Sequence, residues 1–584
     1  MSTPAETAFQ ARTDLITEYG DNARLLFALQ LRYDIDDVES VAATALVDGP
    51  DDKNCDLVFV DRSRGVVIVA QGYESRTDKT EAKSKKADDL NTAIAWLFQR
   101  AIPDIPERLR SAAHEVREAI GSGDINAIEF WYVHNLPESA NVKSALDTVR
   151  LTARNILEQT FGLDRLPERI DAVEVGLGAQ DEWYKSLEVH ILVNDPFNLT
   201  VSGAFEIAGT GWRAVVTAVK AAWLHDIYLQ HREKLFSANY REYLGVKMKR
   251  SRNEINIGIQ HTAREDAGNF WVYNNGISAI VADYALGADA NCGSLTVTGL
   301  SIVNGAQTTG AIGNLAKRPS DDALVPIRFI KCNDDETVSE IVRFNNSQNP
   351  LLPSDFKSND TVQRRLRDEF KTLGSCKYLG GRRGIDRLSS LEGLIPSDSA
   401  AQALAAFHQR PDIAYHQKAE IWRDDALYEL FFRADTTARH VLFAFSLLKA
   451  VEEKKQQLRL KGISRTEQEE QQFGFFCKRG AILLLTAALA GSLESILGKK
   501  VPTKFRLSFQ TCKSPRDGIT KWQPIVDMLV AFSAQLTASI EIGLKDEGNN
   551  TKAVASFGQN IQAMRAITAT ADVFNAFSAI VVET

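Results

Sequence analysis

The chain has 584 residues, of which 44% are hydrophobic and 25% are charged, and its formal net charge at pH 7 is −8. A chain of this length rarely folds around a single hydrophobic core, so we expect two to four domains. The negative net charge excludes a surface that is basic throughout, but it is compatible with local basic patches that bind nucleic acid. No stretch approaches the roughly 20 uninterrupted apolar residues of a membrane span, and residues 1–10 lack the character of a signal peptide, which predicts a cytoplasmic protein without a membrane partner.

The six cysteines lie far apart in the sequence, and no Cys-x-x-Cys pair occurs among them. This spacing predicts neither a zinc site nor a disulfide framework. We expect most of these cysteines to act as small apolar side chains.

The first part of the chain alternates helical and strand-like patterns. Apolar residues follow helical spacing over about residues 5–45. The elements predicted after this region are strands at 57–60 and 66–70, a helix at 89–100, a strand at 127–133, a helix at 144–161 and a strand at 170–175. This order predicts a mixed α/β domain over residues 1–180.

Beyond residue 185 the pattern changes twice. Residues from about 185 to 350 are rich in strand-like runs, with one inserted helix near 214–234, and helical patterns dominate from about 355. We expect a central β-rich mixed domain over residues 185–390. Residues 391–584 are dominated by helical spacing and predict a helical carboxy-terminal domain. We therefore expect an α/β (α+β) protein of three domains.

Two polar residues stand out at the first predicted hairpin. Asp56 precedes its first strand, and Gln71 ends its second. This pair resembles the PD-(D/E)xK nuclease core, in which an aspartate at a hairpin and an acid or glutamine on the next strand hold a divalent ion. The resemblance implies a restriction-endonuclease-like mixed sheet with helices, in which Asp56 and Gln71 bind Mg²⁺ or Mn²⁺. Such an ion, held by carboxylate and carbonyl oxygens, polarises a phosphate and generates hydroxide near neutral pH.

One position departs from the PD-(D/E)xK pattern. The lysine that should follow the acid or glutamine by two residues is replaced by Tyr73. Lys86, at a predicted helix start, is the best substitute for orienting the attacking water, and Glu74 or Glu39 could add a carboxylate. Three interpretations stay open: an active metal-dependent nuclease, a nuclease-like fold kept for binding only, and a coincidental Asp–Gln pair.

Carboxamides and glycines concentrate at strand ends of the central region. Two apolar runs end in Asn-Gly turn signals, at 274–276 and 304–305, and an amide-rich loop follows at 345–349. Basic residues cluster before and after these phrases. The candidate residues for binding nucleic acid or another ligand are Arg241, Asn274, Asn275, Gly276, Asn304, Gly305, Gln307, Asn346, Gln348, Arg382 and Arg383.

These phrases, in this order, resemble the abortive infection phage resistance (AIPR) family. The resemblance covers about a quarter of the chain firmly, and Asp360, Gln363 and Tyr378 continue it towards a Gly-Arg-rich loop. It implies a protein that defends a bacterial cell against phage. The phrases that carry it are Asn-Tyr-Arg-Glu-Tyr-Leu-Gly at 239–245, Phe-Trp-Val-Tyr-Asn-Asn-Gly-Ile at 270–277, Val-Asn-Gly-Ala-Gln-Thr at 303–308 and Asn-Ser-Gln-Asn-Pro at 346–350.

The candidate residues of the central region have side chains that can bind the bases and phosphates of nucleic acid. An Asn or Gln side chain can pair with an adenine edge, arginines clamp phosphates in a planar fork, and glycine amides approach a phosphate closely. Trp271 and Tyr273, on one face of an expected strand, could stack on a base. The alternative is that the amides cap loops and satisfy buried backbone groups. A faint likeness of 304–307 to ParB-like nucleotide-binding proteins also keeps a nucleotide ligand open.

The absence of a Gly-x-x-x-x-Gly-Lys-Ser/Thr loop argues against a P-loop motor. We therefore expect an antiphage protein in which Asp56, Gln71 and Lys86 cleave the phosphodiesters of DNA or RNA with Mg²⁺ or Mn²⁺, while the central domain binds nucleic acid or a nucleotide. The alternative is a catalytically inactive sensor or scaffold within a defence complex. A homo-oligomer or a partner protein is compatible with either.

Overall fold

A computed structural model of the chain describes residues 3–33, 35–47, 49, 52–77, 79–188, 193–239, 250–287, 293–332, 337–338, 341, 357, 360–380, 393–565 and 567–583. Two larger sheets come first, and helices dominate the carboxy-terminal half. The predicted mixed α/β class is confirmed, whereas the predicted domain boundaries stay a prediction.

The first part of the chain, up to residue 188, combines helices with a four-stranded sheet. Its elements are α1 (Pro4–Ala11), α2 (Thr13–Tyr19), α3 (Ala23–Tyr33), α4 (Val38–Ala45), β1 (Leu57–Asp61), β2 (Val66–Tyr73), α5 (Ser84–Asp88), α6 (Leu90–Ile94), α7 (Glu107–Gly121), β3 (Ala127–His134), α8 (Ala140–Phe161), β4 (Arg169–Val175) and α9 (Leu177–Glu188). The strand order is β1-β2-β3-β4, with β1 and β2 antiparallel and the other two pairs parallel.

The hairpin between β1 and β2 forms for local reasons. The Asp61 carboxylate accepts hydrogen bonds from the backbone N–H groups of Ser63, at 2.9 Å, and Arg64, at 3.0 Å. Gly65 closes the turn with a φ of +69°, a conformation that side chains with a Cβ rarely adopt. The hairpin predicted from the sequence is therefore present.

Strand alternation gives the first sheet two different faces. Val58, Val69 and Phe130 pack against α5 to α8 on one side, which we call the α8 face. Ile68 and Trp131 pack against α1 to α4 and α9 on the other side. Helices therefore cover both faces, as expected for a sheet whose inner strands are parallel and buried.

The second sheet occupies residues 193–332. Its strands and nearby helices are β5 (Val193–Val201), β6 (Ala204–Gly209), β7 (Trp212–Lys220), α10 (Ala221–His231), α11 (Arg250–Glu265), α12 (Phe270–Tyr273), β8 (Ile277–Ile280), β9 (Asp283–Leu286), β10 (Gly293–Asn304), α13 (Ala306–Gly313) and β11 (Leu324–Cys332). The strand order is β5-β10-β8-β11-β7-β6, and β9 also pairs with β10.

Two predicted elements of this region are wrong. The helix expected over 214–234 begins only at Ala221, because residues 212–220 form β7 and pair with both β11 and β6. The strand expected at 270–273 is the short helix α12, which buries Phe270 and leaves Trp271 and Tyr273 exposed. In both places the neighbouring elements, rather than local propensity, decide the structure.

The carboxy-terminal half is helical, as predicted. It contains α14 (Thr361–Thr372), β12 (Lys377–Tyr378), β13 (Leu394–Ile395), α15 (Ser397–Phe407), α16 (Pro411–His416), α17 (Glu420–Arg423), α18 (Asp425–Phe431), α19 (Ala438–Lys461), α20 (Glu467–Phe476), α21 (Ala481–Gly491), α22 (Leu493–Leu497), β14 (Leu507–Phe509), α23 (Pro515–Leu529), α24 (Thr537–Ile542), α25 (Glu547–Met564), α26 (Thr568–Ile580) and β15 (Val581–Glu583). One large core unites them, and α14 contributes Leu366 and Phe370 to it.

By length and composition, one helical stretch among the described residues, Pro515–Ile542, could cross a membrane, and the bent pair of α20 and α21 passes the same test. Core packing accounts for much of this apolar character, because Trp522, Ile525 and Leu529 are fully buried in the helical core. The cytoplasmic location stays a prediction.

Candidate functional site

Asp56 and Gln71 lie opposite each other at one end of the first sheet. The antiparallel register pairs Leu57 with Ala70, so the next step along both strands brings Asp56 level with Gln71. The Asp56 backbone N–H donates to the Ala70 carbonyl at 3.0 Å, and the Gly72 N–H donates to Asp56 Oδ2 at 2.7 Å. The hairpin therefore brings together the two residues that the sequence predicted as ion ligands.

The parallel register extends this pair into a row across the sheet. Gln71 is level with Tyr132 on β3, and Tyr132 is level with Glu174 on β4. By alternation all four side chains belong to the α8 face, because Val58, Val69, Phe130 and Ala172 lie two positions away on that face. We call Asp56, Gln71, Tyr132 and Glu174 the polar row.

Two members of the polar row are buried, and each has one polar side-chain atom that makes no hydrogen bond. Gln71 is 3% exposed and Tyr132 is 0% exposed. Among the described residues, neither Gln71 Oε1 nor the Tyr132 hydroxyl has a hydrogen-bond partner. Burial raises the pKa of Tyr132, and the nearby Tyr73, Glu174 and Asp89 raise it further, so this hydroxyl keeps its proton. The row thus contains an acceptor and a donor side by side.

Glu174 closes the row at its other end and is already engaged. Its carboxylate accepts from the backbone N–H of Ser139 at 3.2 Å and lies 3.1 Å from His134 Nε2. Ser139 caps α8, so Glu174 also places a negative charge at the amino terminus of that helix. Glu174 is therefore held as a structural partner of α8.

Tyr73 stands two residues beyond Gln71 on the same strand and the same face. Its hydroxyl accepts a hydrogen bond from Lys79 Nζ at 3.2 Å, and this contact lowers the pKa of Tyr73. A lysine thus contacts the side chain that occupies the lysine position of the PD-(D/E)xK pattern.

Lys86 lies on α5, which packs over the α8 face through Ala87. Asp89 follows Lys86 by three positions, so both side chains lie on the same side of the helical segment, and Asp89 is close enough to influence Tyr132. Glu74 and Glu39 are not part of the polar row. Glu74 pairs with Arg24 at 2.8 Å, and Glu39 lies on α4, against the opposite face of the sheet.

The described residues contain no group of three or more His, Cys, Asp or Glu side chains that could hold a metal ion. The pair Asp56 and Gln71 still fits a hard divalent ion in its donor chemistry, since it offers a carboxylate and a carbonyl oxygen that accepts from no described residue. Mg²⁺ retains several waters and needs only one or two protein oxygens besides its substrate phosphates. The residues present therefore fit such an ion.

The two Asn-Gly phrases of the central region meet in space. Asn274 Nδ2 donates to Thr308 Oγ1 at 3.3 Å, and the Gly276 N–H donates to Asn274 Oδ1 at 2.9 Å. A Cβ on Gly305 would lie 2.7 Å from Ile277 Cγ1 and 3.0 Å from the Gly276 carbonyl oxygen. Asn274 and both glycines therefore shape the junction, which favours the structural interpretation for these three residues.

Asn304 and Gly305 connect a strand to a helix instead of forming a hairpin. Gly305 adopts a φ of +92° and caps α13. Asn304 is level with Ser278 on β8, which is level with Arg328 on β11. Arg328 donates to Ser278 Oγ at 2.7 Å from its terminal nitrogen. Arg328 lies two strands from Asn304, on the other side of β8. It was missed in the sequence, although it is the one charged residue within the apolar run 325–330.

The remaining central candidates are scattered. Asn275 is exposed next to Trp271 and Tyr273, and Gln307 is partly buried in the first turn of α13. Five predicted residues lie outside the described residues: Arg241, Asn346, Gln348, Arg382 and Arg383.

Three further signature residues form a buried network in the helical core. Tyr378 donates from its hydroxyl to Gln363 Oε1 at 2.7 Å, and Gln363 Nε2 donates to the Tyr428 hydroxyl at 3.0 Å. The Tyr428 hydroxyl donates to Asp360 Oδ1 at 2.7 Å, and Asp360 caps α14. Because every member has a partner inside the core, this network stabilises the fold.

Comparison with known proteins identifies the central part of the chain. No curated protein and no solved structure matches the chain. The model of the AIPR protein family matches residues 236–495, a segment that includes both Asn-Gly junctions and the network around Gln363. This match supports a role in abortive infection, a form of antiphage defence. Residues 236–495 of the chain therefore match the AIPR family.

Proposed function

We propose that this protein defends against phage by cleaving nucleic acid at the polar row of its amino-terminal sheet, with Mg²⁺ or Mn²⁺ as cofactor. Asp56 and Gln71 hold the ion, and Lys86 supports the attacking water. The central region binds nucleic acid or a nucleotide and brings the target to the chain.

One observation carries this proposal: Asp56 and Gln71 lie level on neighbouring strands, and Gln71 Oε1 is buried without a donor among the described residues. A glutamine that merely filled space there would leave a polar atom unsatisfied, at a cost of about 1–3 kcal/mol. A bound cation removes this cost, because a carbonyl oxygen is a ligand that hard divalent ions accept.

When bound, the ion supplies Lewis-acid stabilisation of a phosphate and a water that is acidic near neutral pH. The protein's own residues position the charged and polar groups around the ion and the substrate. Asp56 gives one negative charge and Gln71 gives a neutral oxygen. Lys79 contacts Tyr73 at this end of the sheet, and Lys86 lies on α5, which packs over the same face through Ala87. Positive side chains beside the row favour a polyanionic substrate.

A cleavage assay tests the proposal directly. Wild-type protein is incubated with single-stranded DNA, double-stranded DNA and RNA, each with Mg²⁺, Mn²⁺ or EDTA. We expect metal-dependent cutting that Asp56→Asn abolishes, since this variant keeps the size of the side chain and removes its charge. Asp171→Asn is the control, because Asp171 is a half-exposed carboxylate on the other face of β4, where it pairs with Arg169. Equal cutting by the Asp56 variant contradicts the assignment.

A second candidate function is a binding module that does not cleave. It is favoured by Tyr73 at the lysine position and by the exposed Trp271 and Tyr273 beside Asn275, since exposed aromatic side chains can stack on bases. In this case the double variant Asn304→Ala, Gln307→Ala weakens binding of labelled oligonucleotides or nucleotides, while EDTA changes nothing. If the protein cuts nucleic acid and EDTA abolishes the cutting, this candidate is excluded.

A further inference from the structure

The Tyr132 hydroxyl is the most unusual polar group in the polar row. The residue is completely buried, yet its hydroxyl finds no hydrogen-bond partner among the described residues. It shares a core cluster with apolar residues of the α8 face, such as Val69, Phe130 and Leu90. A phenylalanine would fill the same space without burying an unpaired donor, so packing gives no reason for the hydroxyl.

The position of Tyr132 supplies a reason. Gln71 and Tyr132 are paired in register on β2 and β3, so their side chains leave the sheet side by side, about 4.8 Å apart at the backbone. Gln71 Oε1 is an acceptor without a donor, and the Tyr132 hydroxyl is a donor without an acceptor. A single water between them would satisfy both atoms, because water accepts from one side and donates to the other.

We propose that Tyr132 is a positioning residue of the metal site, whose hydroxyl donates to a water molecule in the coordination sphere of the ion held by Asp56 and Gln71. The inference rests on the proposed function, in that it assumes an ion at this pair. It goes further because it states that Tyr132, on β3, orients a water bound to the ion. Tyr132 lies near Tyr73, the residue that replaces the expected lysine.

Three features of the row support this role. The Tyr132 hydroxyl is a hydrogen-bond donor at neutral pH, as a tyrosine hydroxyl ordinarily is, and its side chain leaves the sheet beside Gln71. Glu174, on the far side, contacts Ser139 and His134 and accepts no hydrogen bond from the Tyr132 hydroxyl. Ions such as Mg²⁺ keep several waters, and partners in the outer shell of a metal site orient these waters and tune affinity.

The test is a titration of Mn²⁺ followed by calorimetry, with thermal unfolding as a check on folding. Outer-shell partners typically contribute about 10–100-fold to metal affinity, so we expect Tyr132→Phe to bind Mn²⁺ at least tenfold more weakly than wild type. Its unfolding temperature should be unchanged or higher, because the variant removes an unpaired buried donor. Asp56→Asn should lose the same binding event entirely.

Tyr33→Phe is the matched control. Tyr33 is also buried, but it packs against the opposite face of the same sheet, where its hydroxyl lies near Glu129. We expect this variant to bind Mn²⁺ like wild type. If wild type binds Mn²⁺ and Tyr132→Phe binds it within twofold, the role of Tyr132 is refuted and the metal site stands. If wild type binds no Mn²⁺, the metal site and this inference both fail.

Discussion

Gln71 is the residue at which burial and chemistry conflict most clearly. It is fully inside the first sheet, and its carbonyl oxygen has no donor among the described residues. An unsatisfied acceptor of this kind costs about 1–3 kcal/mol. The proposed ion would satisfy this oxygen, and that is the role the proposed function gives to Gln71.

A variant that removes the buried oxygen of Gln71 should therefore gain stability and lose activity. Gln71→Met removes the buried oxygen and keeps a side chain of similar length, so we expect the free energy of unfolding to rise by about 1 kcal/mol. Mn²⁺ binding and cleavage should both be lost. Urea unfolding and a cleavage assay on the same preparation measure the two effects.

Gln180→Met is the control for this substitution. Gln180 is also buried, but its Nε2 donates to the carbonyls of His134, at 2.9 Å, and Val175, at 3.1 Å. The same change should therefore destabilise the protein. If both variants are destabilised alike, Gln71 is an ordinary structural residue.

The sequence could reveal only half of the polar row. Asp56 and Gln71 belong to one hairpin, so local spacing was enough to pair them. Tyr132 and Glu174 join them through parallel pairings between strands about 60 and 40 residues apart, and hydrophobic alternation does not fix which residues become level. Arg328 was missed for the same reason, since its link to Ser278 depends on the parallel pairing of β8 and β11.

At the scale of elements, long periodic helices and strongly apolar strands were predictable, and short segments were not. The helix Ala438–Lys461 and the strands of the first sheet lie where the pattern placed them. The segment 270–273 has strand-forming residues, but the turn bonds of Asp266 and Asn269 lead the chain into a helical turn after α11. The run 214–220 has helix-compatible alanines, but pairing on both sides makes it a strand.

A histidine pair links two elements of the helical core. His408 follows α15, His440 lies in the first turn of α19, and their Nε2 atoms are 3.0 Å apart. The Nδ1 of His440 is 3.0 Å from the Leu507 carbonyl and donates to it, so His440 Nε2 accepts from His408. Burial lowers the pKa of His440 to about 4 and that of His408 well below its usual value, so both rings are neutral.

This pair predicts a loss of stability in mild acid. Folding lowers the pKa of His440, so the unfolded chain binds more protons between pH 6.5 and about 4. The free energy of unfolding should therefore fall as the pH is lowered through this window, by roughly 1.4 kcal/mol for each unit by which folding lowers this pKa. Urea unfolding at several pH values measures the slope.

Comparison with two variants isolates the histidine contribution. His440→Gln should be less stable at pH 7 but should show a shallower pH dependence. His114→Gln, which changes an exposed histidine on α7, should leave the slope unchanged. A slope that is the same in all three proteins would assign the acid sensitivity to other groups.

At the scale of the whole molecule, the helical half is joined to the amino-terminal part by buried charges. Lys449 Nζ on α19 lies 2.7 Å from Asp37 Oδ1 and 2.9 Å from Glu452 Oε2. Asp37 also accepts from the hydroxyl of Ser399, and Glu452 from that of Ser40. Burial by itself would raise the pKa of Asp37, but the Lys449 ammonium lowers it, so the carboxylate is charged in the folded protein.

Lys449 is therefore expected to hold the two halves together. Removing one member of a buried ion pair leaves an uncompensated charge and typically costs about 3–5 kcal/mol, so Lys449→Met should destabilise the protein by about that amount. Limited proteolysis should then cut between the amino-terminal part and the helices. Lys371→Met is the control, because Lys371 and Asp368 form an exposed pair on α14 whose loss should leave the stability nearly unchanged.

A double variant decides whether the interaction itself is responsible. Lys449→Met leaves two buried carboxylates, Asp37 and Glu452, without their ammonium partner. Adding Asp37→Asn removes the charge of one of them, so part of the lost stability should return. If the double variant loses as much stability as the two single variants together, the two residues act independently and the halves are held by their apolar contacts. A recovered double variant would show that these buried charges determine how the amino-terminal sheet, with its polar row, is attached to the family-defining part of the chain.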